Sequence, residues 1–117
     1  MLITSRETAR WVIPKGWPAP ALDPGSSAAQ EALEESGLVG EVSAQPIGSY
    51  GYNKRLADGS AVDCTVEVFA LAVEQQLPTW PEQAERRTRW FALEEAAVAV
   101  QEPELAAIIR NLAKLVD

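Results

Sequence analysis

The stretch "QEALEESGL", residues 30–38, sets Glu31, Glu34 and Glu35 within five positions. A helix turns once every ~3.6 residues, so positions i, i+3 and i+4 share a face. A helix here would crowd three carboxylates together, and like charges at that spacing are mildly destabilising. A divalent cation among them would remove the repulsion. The sequence has no histidine and one cysteine, Cys64. That excludes His-based triads, His general bases, a Cys-rich zinc site and an intramolecular disulfide. An oxygen-only donor set suits a hard cation such as Mg²⁺, which keeps several waters and bridges phosphate oxygens. Spacing alone favours a solvated helix face, since Glu is a common surface helix former.

The elements that would position these carboxylates can be read on either side. Asp23-Pro24 offers an N-cap and a first-turn proline, and Ser27 with Gln30 offers an alternative start one turn later. Ala28, Ala29, Ala32 and Leu33 supply the apolar side, and Gly37 a left-handed stop. Before the helix lie two short extended runs, at Met1–Thr4 and "RWVIP", then the breaker-rich loop "KGWPAPALDPGSS". After it come two β runs, "EVSAQPIGSYGY" and "AVDCTVEVFALAV", joined by a turn with the hairpin signal Asp58-Gly59. The second run alternates Val62, Cys64, Val66 and Val68 with polar residues, the period of a half-buried strand. "RRTRWFAL" reads as a further strand with Trp90 in the core, as Trp11 is in its own run. "LEEAAVAV" reads as a short helix. "EPELAAIIRNLAKLV" reads as a longer one, with Leu105, Ile108, Ile109, Leu112 and Val116 on one face. This order predicts a mixed β-sheet flanked by helices.

"GWPAPALDPGSSAAQEALEESGL" resembles the Nudix box, G-x5-E-x7-R-E-U-x-E-E-x-G-U with U apolar. Gly16, Glu31, Ala32, Glu34, Glu35, Gly37 and Leu38 fall in register. Leu22 stands where the first Glu is expected, and Gln30 where the Arg is expected. "RWVIPKGWP", "DCTVEVFALAV" and "WPEQAERRTRWFALEEA" are similar to the diphosphoinositol and diadenosine polyphosphate phosphohydrolases of that family. The resemblance runs from Leu2 to about Ala97. It implies an α/β (α+β) fold, a Nudix-type α/β/α sandwich with a mixed sheet between helices. Residues 1–117 would form a single Nudix domain, N-terminally short because the family's usual first strand is missing. That shortness fits a fragment, a truncated protein, or a homodimer covering the exposed edge.

The implied activity is hydrolysis of a phosphoanhydride bond in a nucleoside or inositol polyphosphate, with Mg²⁺ or Mn²⁺ and a metal-activated water. Carried over residue by residue, Glu31, Glu34 and Glu35 are the catalytic carboxylates, and together with the Gly16 carbonyl they are the metal ligands. A downstream carboxylate, Glu82 or Glu85, would complete the set. Lys15, Lys54, Arg86 and Arg87 are the substrate-binding cations, with Arg55 and Arg89 as further options. Trp17 and Trp80 would stack on a base or pack a loop. Tyr50 and Tyr52 share a strand face as core or cleft wall. The family Arg orients the neighbouring glutamate; Gln30 carries no charge, so the alternative is a catalytically impaired ligand-binding module.

Composition agrees with a small-molecule enzyme. The 117 residues carry 17 acidic and 10 basic side chains, a formal net charge of −7, which argues against nucleic-acid or membrane-surface partners. With 47% hydrophobic residues the chain can bury a core. No run has the length of a membrane span and the N-terminus lacks a signal-peptide core, so the expected compartment is cytoplasmic.

Overall fold

The computed structural model describes residues 1–6, 8–18 and 20–115. Its elements run β1 (Leu2–Thr4), β2 (Trp11–Val12), α1 (Pro24–Ser36), β3 (Leu38–Val42), β4 (Gly48–Arg55), β5 (Ala61–Val68), β6 (Leu71–Gln76), β7 (Thr88–Arg89), α2 (Leu93–Ala99) and α3 (Pro103–Leu115). The class is α+β, as expected, with three helices and small sheets. The sheets themselves differ from the single mixed sheet read from sequence. Among the described residues they are β2-β1-β7, β3-β6 and β4-β5, and every pair is antiparallel. Connectivity explains this: β4 and β5 are joined by a tight turn, and β3 and β6 bracket that hairpin. Short connections of this kind permit only antiparallel pairing.

Both long β runs divide where their partner changes. The first breaks at 43–47, where Pro46 cannot donate to a ladder. The second breaks at Phe69-Ala70, where β5 leaves β4 and β6 takes up β3. The hairpin turn forms as read, with Gly59 at φ +89° and Asp58 accepting from the Ser60 amide at 2.9 Å. Helix α1 starts at Pro24 with Asp23 as N-cap, and stops at Gly37 in the left-handed region, φ +73°. "RRTRWFAL" contributes only Thr88–Arg89 as strand, and Trp90 is 56% exposed, not core. The run is too short to hold Trp90 against a partner strand. Trp11 does pack inward, edge-on to Phe91 at 5.0 Å.

The core joins Leu2 of β1, Tyr50 of β4 and Val68 of β5 to Ala96 and Ala97 of α2, Val100 just after it, and Leu105 and Ala106 of α3. Leu105 is the pivot at 1% exposure, and full burial of a leucine contributes roughly 1.5–3 kcal/mol. Ile108 and Ile109 pack against this cluster; Val116, expected on the same face, lies outside the described residues. Helix α3 sits close on β4: a Cβ on Gly48 would come within 2.8 Å of the Ile108 side chain. Helix α1 lies apart from this cluster, packed on β3. Its acidic face is left for the loops 13–18 and 77–87.

Candidate active site

Glu31 and Glu35 are four residues apart and meet on one face of α1, where the Glu35 carboxyl hydrogen-bonds Glu31. Glu35 is buried at 3% exposure. Burial, then its bond to Glu31, pushes its pKa up to about 8, against the opposing pull of Arg86. The pair therefore holds a proton near neutrality. Gly16 lies hard against it: a Cβ on Gly16 would collide with the Glu31 carboxylate. Only glycine lets the loop backbone come that close.

The loop after β6 is stapled to the last turn of α1, whose carbonyls have no partner within the helix. Leu77 N–H donates to Gly37 O at 2.8 Å and Glu82 N–H to Glu34 O at 3.0 Å. The Gln76 side chain donates to Ser36 O at 3.0 Å. The Trp80 ring covers Gly37, where a Cβ would collide with it. Trp80 thus packs a loop, whereas Trp17, 66% exposed, faces outward. This docking brings Glu82 towards α1. Glu85 instead points to the surface and pairs with Arg6 at 3.0 Å.

Arg86 follows from the same loop. Its guanidinium donates from Nε to Glu82 at 2.8 Å and from Nη1 to the Thr4 carbonyl at 3.2 Å, and Nη2 lies 3.6 Å from Glu35. Its donors are turned to acceptors of the protein itself rather than to open space. Sequence spacing could not show this, because Arg86 lies 51 positions from Glu35. The Arg87 amide donates to the Thr4 hydroxyl at 2.9 Å, and its side chain is exposed.

The lysines sit on aromatic faces. Lys15 Nζ lies 4.6 Å from the Tyr52 ring centroid and Lys54 Nζ 5.0 Å from that of Trp17, so two cation–π contacts tie the hairpin β4–β5 to the loop before α1. Burial lowers the Lys15 pKa while the Glu35 carboxyl opposes the shift. Tyr50 and Tyr52 share a face, their rings 6.5 Å apart; Tyr50 is core and Tyr52 is half-buried under Lys15. Arg89 stacks on Phe91 at 4.5 Å, and Arg55 is exposed at the hairpin end.

The donor chemistry fits a hard divalent cation: a carboxylate pair crowded enough to retain a proton, with Gly16 backbone alongside. The convergence is partial. Among the described residues no three His, Cys, Asp or Glu side chains come together to hold a metal ion, so Glu34 does not join the pair. Its carbonyl is used to dock Glu82. Gln30 is exposed, and its side chain makes no hydrogen bond among the described residues. It borders an apolar cavity of about 250 Å³ between α1 and the β3–β6 pair, lined also by Leu33, Leu38 and Leu71.

No family model matches the chain. Curated relatives do. Nudix hydrolase 13, mitochondrial, of Arabidopsis thaliana is 31% identical over 102 residues, covering 82% of this chain and 50% of that protein. Nudix hydrolase 16, mitochondrial, of the same plant is 30% identical, covering 88% and 58%. Human diphosphoinositol polyphosphate phosphohydrolase 3-beta is 27% identical, covering 86% and 58%. The chain thus spans about half the length of the curated relatives it matches. No helix among the described residues is long and apolar enough to cross a membrane. Over most of its length, then, the chain is homologous to Nudix hydrolases, diphosphoinositol polyphosphate phosphohydrolases among them.

Proposed function

We propose that the chain hydrolyses a phosphoanhydride bond in a small nucleoside or inositol polyphosphate, with Mg²⁺ or Mn²⁺ as cofactor. One observation carries this reading: Glu31 and Glu35 are forced together beside the Gly16 backbone with more negative charge than the surroundings offset. Glu31, Glu35 and the Gly16 carbonyl would hold the cation, with Glu34 nearby on the same helix. A bound divalent ion would supply charge neutralisation at the phosphoryl oxygens and make a water more acidic.

The rest falls to side chains. Glu31, less buried than Glu35, would take a proton from the attacking water, once a bound cation has displaced the proton that the Glu31–Glu35 pair otherwise holds. Lys15 and Lys54 would draw phosphate groups towards the carboxylates, since their ammoniums rest on aromatic faces and neither makes an ion pair among the described residues. Of the two downstream carboxylates, Glu82 is the one the loop brings to the site. The relatives named as diphosphoinositol polyphosphate phosphohydrolases support a polyphosphate as the substrate class.

Phosphate release over a panel of dinucleoside polyphosphates, diphosphoinositol polyphosphates and nucleoside triphosphates, with Mg²⁺, tests the proposal. Release from at least one member is expected. Silence across the panel at high enzyme concentration would sink it. A second reading, a Nudix-like module that binds without turnover, is favoured by the failure of three carboxylates to converge. Calorimetric binding of a panel member with no release of phosphate would select it.

A further inference from the structure

The acidic face of α1 is held by a cation that α1 does not supply. At the helix position next to Glu31, Gln30 turns away towards the β3–β6 side and its side chain bonds to nothing described. Arg86 arrives from a loop on the other side. Its side chain is 11% exposed, and its guanidinium touches Glu35, Glu82 and the Thr4 carbonyl. Three separate elements are tied by these contacts: α1, the loop carrying Glu82, and β1. A planar fork with fixed donors can span such a set, whereas a point charge cannot.

The backbone around it depends on the same residue. Glu82 is anchored at one end by its amide on Glu34 O and at the other by its carboxylate on Arg86. Adjacent to Arg86, the Arg87 amide and carbonyl pair with the Thr4 hydroxyl and amide. The loop therefore cannot shift without moving Arg86, and Arg86 cannot shift without releasing two carboxylates.

We infer that Arg86 is the positioning residue of this site, setting Glu35 and Glu82 relative to each other and to β1 rather than binding substrate. The inference rests on the hydrolytic reading above for its kinetic consequences, but not for its structural ones.

The test uses the whole chain as wild type, Arg86→Gln and Arg86→Lys. Two readouts are taken: kcat and KM with Mg²⁺ on whichever polyphosphate the panel identifies, and amide hydrogen exchange in metal-free buffer. Misplacing a reacting group by about 1 Å costs on the order of 100-fold. Arg86→Gln should therefore lower kcat about 100-fold with KM within about threefold. Arg86→Lys should recover part of the loss, because one ammonium reaches one carboxylate. In exchange, the Glu82 amide should open at least ~10-fold faster in Arg86→Gln, while that of Ala106 in α3 stays unchanged.

A rise in KM with kcat held would make Arg86 a substrate ligand and overturn the inference. Unchanged exchange at Glu82, or an equal acceleration at Ala106, would overturn it too. If Arg86→Gln does not fold, Arg86→Lys carries both readouts, with a kcat loss of about tenfold expected. Should the wild type turn nothing over, the hydrolytic reading fails by itself, and the exchange data alone decide the role of Arg86.

Discussion

Two arginines in this molecule make contrasting use of the same chemistry. Arg110 on α3 forms two short bonds to Glu94 of α2, at 2.9 and 3.0 Å, with side chains 49% and 70% exposed. Arg86 stands 3.6 Å from Glu35, a longer contact, yet the two side chains are only 11% and 4% exposed. By distance the surface pair looks stronger. By environment the order reverses, because water and salt screen the exposed pair while a buried charge left alone is costly. Hydrogen-bond length reports geometry; burial decides what losing a partner does.

The largest effect is expected at the buried end. Glu35→Gln keeps the shape and removes the charge that a divalent cation would need, so turnover should fall by on the order of 10³-fold. Circular dichroism should show an unchanged fold, since a neutral group suits that buried site. A Glu35→Gln enzyme with wild-type kcat would remove Glu35 from the proposed ligand set and leave only the surroundings of Glu31.

The same substitution should alter stability in a pH-dependent direction. The Glu35 carboxyl ordinarily titrates at 4.5, and in the fold it is pushed up to about 8. Between those values the folded chain holds a proton that the unfolded chain has released, so stability falls as pH rises through that window. Denaturant melts in chelator should show wild type losing about 2 kcal/mol from pH 5 to pH 8, short of the full linkage because solvent reaches Glu31. Glu35→Gln should flatten the slope and be the more stable protein at pH 8. A wild-type slope of the opposite sign would mean the pair is ionised throughout and already offset by nearby cations.

How much of this was legible beforehand depended on the range of the interaction. Asp23-Pro24, Gly37 and Asp58-Gly59 act within a few residues, and each marked its cap or turn correctly. The spacing predicted that Glu31, Glu34 and Glu35 crowd one face; Glu31 and Glu35 do meet, and Glu34 does not join them. Partner choice was not local. The division of the two long β runs follows from which strand pairs with which, and Trp90 lost its expected burial because β7 ends one residue earlier. Trp80 covering Gly37, and Arg86 reaching Glu35, join the loop after β6 to α1 across more than 40 positions. No window along the chain contains both halves of such a contact. Burial of Glu35 was equally hidden, because a glutamate on a helix face reads as solvated until the loop that covers it is known.

Gln30 is where the sequence and the structure ask different questions. Its missing charge suggests an impaired site, and on that reading Gln30→Arg should raise the rate sharply. In the fold, residue 30 faces the β3–β6 side, away from Arg86, and is exposed. A side chain that does not reach the carboxylates leaves the activation barrier nearly unchanged, so kcat should move less than about threefold. A tenfold gain would show that a cation at residue 30 does reach the carboxylates, and that Arg86 holds them incompletely.

The smallest effect belongs to the exposed pair that opened the comparison. Arg110→Ala deletes two short bonds, but it strands no buried charge: Glu94 remains in water with its ordinary hydration restored. Its pKa, held low chiefly by the hydrogen bond to Arg110, should return towards the usual carboxylate value. Melting temperature should match wild type within error, and so should kcat and KM. The informative measurement sets Arg110→Ala beside Arg86→Lys, which removes far less of its side chain. If the surface truncation proved as damaging as the conservative buried change, bond count rather than burial would govern ion pairs in this fold. Arg86 would then lose its special standing, and the carboxylates would need another explanation for their close approach.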